Sequence, residues 1–309
     1  MTVHHLYPIG TQGQAWGVDE KALWLSEQRI QRHYAKEVLP ALQQLPAALK
    51  LQQYGELDYR IFGAGCYPLF AVLSQQWQAD RPTVLITGGV HGYESSGVHG
   101  ALRFISSKAA QYAGQVNVLV APCISPWGYE TINRWTPLAV DPNRAFVANS
   151  PAQESALLMQ FIAKAAPEVL LHIDLHETTD SDNSEFRPAK AARDGTVNTN
   201  WNIPDGFYLV GDSANPQPAF QQAIIKAVAK VTHIAPADEQ GQLIGETLAQ
   251  PGVVNYPKKA LGLCGGMTKA RYVTTTEVYP DSQHTNAEQC IEAQVTAICA
   301  AVDFVIANA

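Results

Sequence analysis

The chain has 309 residues, 46% of them hydrophobic and 16% charged, enough apolar material to bury a large core. A net charge of -7 with no basic block argues against nucleic acid as a general partner, and the acidity alone points to no substrate class. The first residues lack the basic-then-apolar pattern of a secretory leader, and no apolar run reads as the roughly 20 residues that span a bilayer, so no membrane association is expected.

Residues 1 to about 18, rich in Gly and Gln, read as an extended lead-in. Ala22, Leu25 and Ile30 among charged neighbours predict a helix from Val18 to about Leu39, stopped by Pro40, then a short helical piece to about Leu51. Residues 1–55 thus form a helical extension packed on a main domain of residues 56–309. Strands are expected at Asp58–Phe62 and Leu69–Gln75, joined by Gly63-Ala64-Gly65. Thr83–Val90 reads as a buried β-branched strand. Val98, Ala101, Leu102 and Ile105 then recur at helical spacing, giving a helix from about Glu94 to Lys108. Val116–Val120 is the next strand, and Ser150-Pro151-Ala152-Gln153 opens a helix to about Ala165 with Ser150 as its cap.

Val169–His176 is a further strand, followed by a polar stretch, residues 177–206, that reads as a long surface loop. Phe207–Val210 is a strand and Pro218–Val231 a helix. Residues 235–268, rich in Gly and Pro, form a second excursion. Arg271–Tyr279 is a strand, and a last helix runs from Thr285 to about Ala307, opened by a capping box of Thr285 and Glu288. Strands alternating with helices, without repeats, give an α/β fold: a mixed, mostly parallel twisted sheet with helices on both faces. Ligands of such sheets sit at the carboxyl ends of strands, where His91, His176 and Glu277 fall.

The five cysteines are odd in number and include no Cys-x-x-Cys pair. They read as buried free thiols in a reducing compartment, the cytoplasm, and not as a metal site. Metal chemistry is better served by His91-Gly92-Tyr93-Glu94, at the junction of a strand and a helix. An imidazole and a carboxylate three residues apart can converge on one point, and that donor pair suits zinc. Such a pair is weak on its own and needs a third ligand. His172, Asp174 and His176 share one face of their strand. Polar groups there need partners, either a hydrogen-bond network or a metal. His176 is favoured over His172 because Glu177-Thr178-Thr179 follows it out of the strand. Three protein ligands would leave a fourth position open for water.

Glu277, near the end of a β-branched strand, faces either solvent or the site; beside a metal it is a candidate general base. Asn143 and Arg144 together make a donor set matching a carboxylate, and Arg134 could polarise a carbonyl or hold an oxyanion. Asp141 could orient a metal-bound imidazole. Lys269 and Arg271 read as an ordinary exposed pair, a preference for an acidic side chain being the alternative.

The ordered set from His91-x-x-Glu94 through Arg134, Asp141-Pro142-Asn143-Arg144 and His176 to Glu277 resembles the zinc carboxypeptidases of the carboxypeptidase A type. The resemblance implies one zinc per chain on His91, Glu94 and His176. It implies Asn143 and Arg144 on the terminal carboxylate of a peptide substrate, Arg134 on the scissile carbonyl, Glu277 as base, and Asp141 supporting the first histidine. The activity it implies is hydrolysis of a C-terminal amide bond. Two places depart from the family pattern. Ser125-Pro126-Trp127-Gly128 keeps only the Pro and Gly of the family's Asn-Pro-Asp-Gly, and Tyr256, the candidate for its mobile tyrosine, lies in different surroundings. These departures admit the succinylglutamate desuccinylase and aspartoacylase group, which is similar in its zinc ligands and removes an acyl group from an N-acyl amino acid.

Overall fold

The computed structural model of the chain describes residues 7–308; His4, His5 and the start of the lead-in lie outside the described residues. The chain enters through α1 (Val18–Glu27), α2 (Tyr34–Glu37) and α3 (Leu39–Leu42). The single long helix expected here is therefore broken. Gln28 leaves α1 in an extended conformation, and Pro40 sits in the first turn of α3, where a missing N–H is harmless. Trp16 and Trp24 pack against Trp127 and Trp135, with ring centroids 5.5–6.2 Å apart, and so dock this segment on the rest of the chain.

β1 (Leu49–Asp58) begins where a helical piece was expected and pairs antiparallel with β2 (Cys66–Ser74). The expected strand at Asp58–Phe62 is instead a 3-10 turn, Arg60–Phe62, in the connection between them. β1 is an edge strand in which only Leu49 and Leu57 are buried, so it carries little apolar alternation for the sequence to display. It crosses residue 55, and its pairing ties both sides of that position into one sheet.

Then come β3 (Thr83–Gly88), α4 (Ser95–Ser107), α5 (Ala109–Tyr112), β4 (Asn117–Ala121), α6 (Pro126–Thr131), α7 (Gln153–Ala165) and β5 (Leu171–Glu177). The cap expected at Ser150 belongs to the turn before α7: its Oγ accepts the Ala152 N–H at 3.2 Å, and Ala152 is the N-cap. Residues 177–206 are not a surface loop throughout. They hold a π-helical turn, Asp182–Phe186, and α8 (Arg187–Asp194), with Asp182, Phe186, Pro188 and Ala189 buried. Next are β6 (Tyr208–Asp212), α9 (Pro218–Val228), the small hairpin β7 (Gln242–Leu243) and β8 (Glu246–Thr247), β9 (Val253–Tyr256), β10 (Tyr272–Val278) and α10 (Ala287–Asn308). The cap of α10 is Asn286, whose Oδ1 accepts the Gln289 N–H at 3.0 Å, while Glu288 reaches outward to Arg103. By length and composition α10 could cross a bilayer, contrary to the reading of the sequence; half of its most apolar stretch is buried within this fold.

Eight strands form one sheet in the order β1-β2-β4-β3-β5-β10-β6-β9, with four of its seven pairings parallel. The expected mixed, mostly parallel sheet is thus present. Side chains alternate across it. Val84, Ile86, Ile173 and Leu175 meet α4, α9 and α10 on one face, while Leu85, Leu119 and Ala121 meet Leu158, Phe161 and Ile162 of α7 on the other. β3, β5 and β10 lie side by side and parallel, so their carboxyl ends share one edge. All five cysteines are free, but Cys66 is exposed and Cys299 half-buried, so the expectation of buried thiols does not hold at those two.

Candidate active site

The three central strands deliver the chemistry-bearing residues together. β3 ends at Gly88, and Gly89, at φ +63°, turns the chain so that His91 lies over the sheet edge. Gly92 passes so close to α6 that a Cβ there would lie 2.0 Å from the Tyr129 nitrogen. Gly128 adjoins the His-x-x-Glu turn at the same place, its Cα 2.6 Å from where that Cβ would sit. Glu94 then caps α4. His176 is near the end of β5, and Glu277 of β10 is its partner in the parallel register.

His91 Nδ1 lies 2.7 Å from Glu94 Oε1, and His176 Nδ1 lies 2.7 Å from Glu94 Oε2. One ligand atom from each of the three falls within 4.8 Å of the others, and all three side chains are buried. The opposite nitrogen of each ring meets a carboxylate: His91 Nε2 is 3.0 Å from Asp141 Oδ1, and His176 Nε2 is 2.9 Å from Asp174 Oδ2. With each aspartate taking an Nε2–H, a bound cation would meet the two Nδ1 lone pairs, the arrangement of metal-binding imidazoles. Two imidazoles and a carboxylate so held fit a zinc-type cation.

The charges of the cluster hold one another. Burial alone would raise the Glu94 carboxyl, but His176 and His91 outweigh it and hold it well below the usual carboxylate range. Burial opposes a charged His176, yet Glu94 and Asp174 push its pKa well above the usual histidine value. His172, on the same strand face, differs. Burial pushes it down to about 4, it is neutral, and it lies behind the centre against Thr87. Of the two histidines considered as third ligand, His176 is the one that meets His91 and Glu94.

The remaining candidates line one cavity of about 280 Å³ with the triad. Burial pushes the Glu277 carboxyl up to about 8; it accepts the Thr178 hydroxyl at 3.2 Å, and that hydroxyl also meets Tyr208 at 2.8 Å. Arg134 Nε donates to Asp141 Oδ2 at 3.1 Å, and its Nη1 lies 3.7 Å from Asp182 Oδ1. Asn143 Oδ1 is spent on the Cys264 N–H at 2.8 Å. Its Nδ2 lies 3.4 Å from His176 Nε2, which already donates to Asp174, so that amide group keeps its protons for a ligand. Arg144 bonds the Asn143 carbonyl at 2.8 Å, and among the described residues no carboxylate pairs with it. Tyr256 also lines the cavity.

Several residues of this site carried no sequence signal. Asp182, which accepts the Tyr93 hydroxyl at 3.0 Å, lay in what read as a loop. Lys258 is fully buried, bonds Thr275 Oγ1 at 2.6 Å and lines the cavity; burial pushes its pKa down to about 8. In sequence it is one of two adjacent lysines. Lys269 and Arg271, weighed earlier, are both exposed, with Arg271 over the Tyr272 ring.

Residues 80–197 match the family model of the succinylglutamate desuccinylase/aspartoacylase catalytic domain. That span contains His91, Glu94, Arg134, Asp141, Asn143, Arg144 and His176 and ends before Glu277. No curated protein matches the sequence. Among solved structures, the chain is similar to a candidate metallopeptidase from Shewanella denitrificans at 16% identity, covering 88% of each chain with a TM-score of 0.64. A metallo-carboxypeptidase from Burkholderia cenocepacia is 16% identical over 96% of this chain and 70% of that one, at a TM-score of 0.57. Bovine thrombin-activatable fibrinolysis inhibitor, in its complex with tick carboxypeptidase inhibitor, is 11% identical over 96% of this chain and 99% of that one, also at 0.57. The chain has a zinc carboxypeptidase-like fold, and its residues 80–197 are similar to the succinylglutamate desuccinylase/aspartoacylase catalytic domain.

Proposed function

We propose, on a fold shared with the zinc carboxypeptidases, that this protein is a zinc-dependent hydrolase that cleaves the amide bond next to a free carboxylate. The observation that carries the reading is the convergence of His91, Glu94 and His176, each imidazole backed by its own aspartate, in a cavity that also holds Glu277 and Arg144. A zinc ion held by His91, Glu94 and His176 would supply Lewis acidity, lowering the pKa of water toward about 7 and polarising the carbonyl.

The chain's own residues do the rest. Arg144 and the Asn143 amide grip the substrate carboxylate, so that only a terminal bond reaches the centre. Glu277 takes a proton from the attacking water, whose oxygen bonds to the carbonyl carbon. The Arg134 guanidinium faces the negative charge that develops on the carbonyl oxygen. As the carbon–nitrogen bond breaks, Glu277 returns the proton to the leaving amine. Thr178, tied to Tyr208, fixes the Glu277 carboxylate for both transfers.

The first reading of the substrate is a peptide losing its C-terminal residue. The match over residues 80–197 favours a second, an N-acyl amino acid losing its acyl group. One experiment tests both: zinc-loaded protein is offered a mixed panel of peptides and N-acyl amino acids, and products are identified by mass. Release of free amino acids from one class supports that reading; no hydrolysis of either overturns the proposal.

A further inference from the structure

Behind the candidate centre lies a buried polar chain with no part in the chemistry above. Thr87 of β3 and Asp174 of β5 are partners in the parallel register, and Thr87 is fully buried. The Thr87 hydroxyl donates its one proton to Asp174 Oδ1 at 2.6 Å. At His172 Nε2, 3.0 Å away, it can therefore only accept, so the neutral His172 carries its proton on Nε2. His172 Nδ1 is then a bare lone pair, consistent with its having no hydrogen-bond partner among the described residues. Cys264 Sγ, 3.5 Å from the same hydroxyl, offers a weak donor to its second lone pair. The hydroxyl is thus fully used, and Asp174 keeps Oδ2 for the His176 Nε2–H at 2.9 Å.

We propose, building on the metal-centre reading above, that Thr87 is a positioning residue: the chain His172–Thr87–Asp174 fixes the proton of His176 on Nε2 and so turns its Nδ1 toward the metal. The His91 side has the same logic with a charge, since Arg134 holds Asp141 at 3.1 Å. Thr87 is the neutral counterpart of Arg134 on the dry side of the centre. His172, Asp174 and Cys264 also bring ligand atoms within 4.8 Å of one another, which by itself would permit a second metal. Against that, the Thr87 hydroxyl occupies the point on which they converge, and the buried Lys258 ammonium acts on both His172 and Cys264.

The test compares Thr87→Val, which keeps the shape and removes the hydroxyl, with Thr87→Ser, which keeps the hydroxyl. Zinc dissociation constants come from competition with a chromophoric chelator, stoichiometry from metal analysis, and thermal midpoints from the metal-free proteins. Wild type should bind one zinc, T87V should bind it about 10–100-fold more weakly, and T87S should stay within about threefold of wild type. If T87V does not fold, Thr87→Cys, a weaker donor of similar size, should still lose more than about threefold in affinity. A merely structural role would lower the metal-free midpoint and leave affinity unchanged; that result overturns the proposal. Two zinc ions per wild-type chain, one of them lost in Cys264→Ser, would overturn it in favour of a second metal site. A wild type that binds no zinc would instead overturn the metal-centre reading.

Discussion

Replacing Glu277 by Gln removes one proton acceptor and little else. Glu277 is not among the three converging donors, and Gln has the same size with an oxygen that can still accept the Thr178 hydroxyl. The other carboxylates nearby are committed. Glu94 faces both imidazoles, Asp182 takes the Tyr93 hydroxyl and the Thr179 N–H, and Glu177 takes the Ser96 N–H. With no substitute base, the full general-base contribution should be lost, about 10²–10⁴ in rate or roughly 3–5 kcal/mol of barrier. Metal content and KM should change little, because neither the triad nor the carboxylate anchor is touched. Single-turnover hydrolysis of a free-acid substrate, with zinc measured on the same samples, reads both quantities. A variant that keeps its zinc and more than about a tenth of the wild-type rate would remove Glu277 from the reaction.

Arg144→Ala should raise KM for free-acid substrates by about 10–100-fold, the worth of one or two charge-assisted hydrogen bonds, with a smaller effect on kcat. Equal cleavage of amidated and free-acid substrates by the wild type would rule out the anchor. Stripping zinc with a chelator should lower the thermal midpoint, since metal at a thousand times its Kd contributes about 4 kcal/mol, and His91→Ala should erase that difference. Glu154 is a distant pH sensor of stability. It is buried, one oxygen takes the Tyr59 hydroxyl at 2.6 Å, the other has no partner among the described residues, and burial pushes it up to about 7. Against about 4.3 in the unfolded chain, its stabilisation is fully present below that value and is lost as pH rises through 7, a cost of about 4 kcal/mol. Denaturant titrations from pH 5 to 8 should show that slope in wild type and a flatter one in Glu154→Gln; parallel curves would refute it. Trp24→Ala should cost about 3–5 kcal/mol by emptying the aromatic cluster that docks the N-terminal segment, measurable as a drop in the urea midpoint.

His91, His176 and Glu277 could be read in sequence because each stands at or just past the end of a strand rich in apolar or β-branched residues, and Glu94 because it follows His91 by three at the start of a helix. That local rule located β3, β4, β5 and β10 within a few residues. It failed for β1, whose exposed edge needs no apolar pattern, and for residues 177–206, where polar side chains such as Asp182 are buried because Tyr93 and Thr179 supply their hydrogen bonds. Local sequence thus determined which residues could act as ligands and base. Only the tertiary structure decided which aspartate backs each imidazole, that His172 stands behind the centre and His176 in it, and that Lys258 is buried beside Thr275. The physical reason is that burial and partner choice belong to the packed neighbourhood, and those neighbours come from strands and loops far apart in the chain.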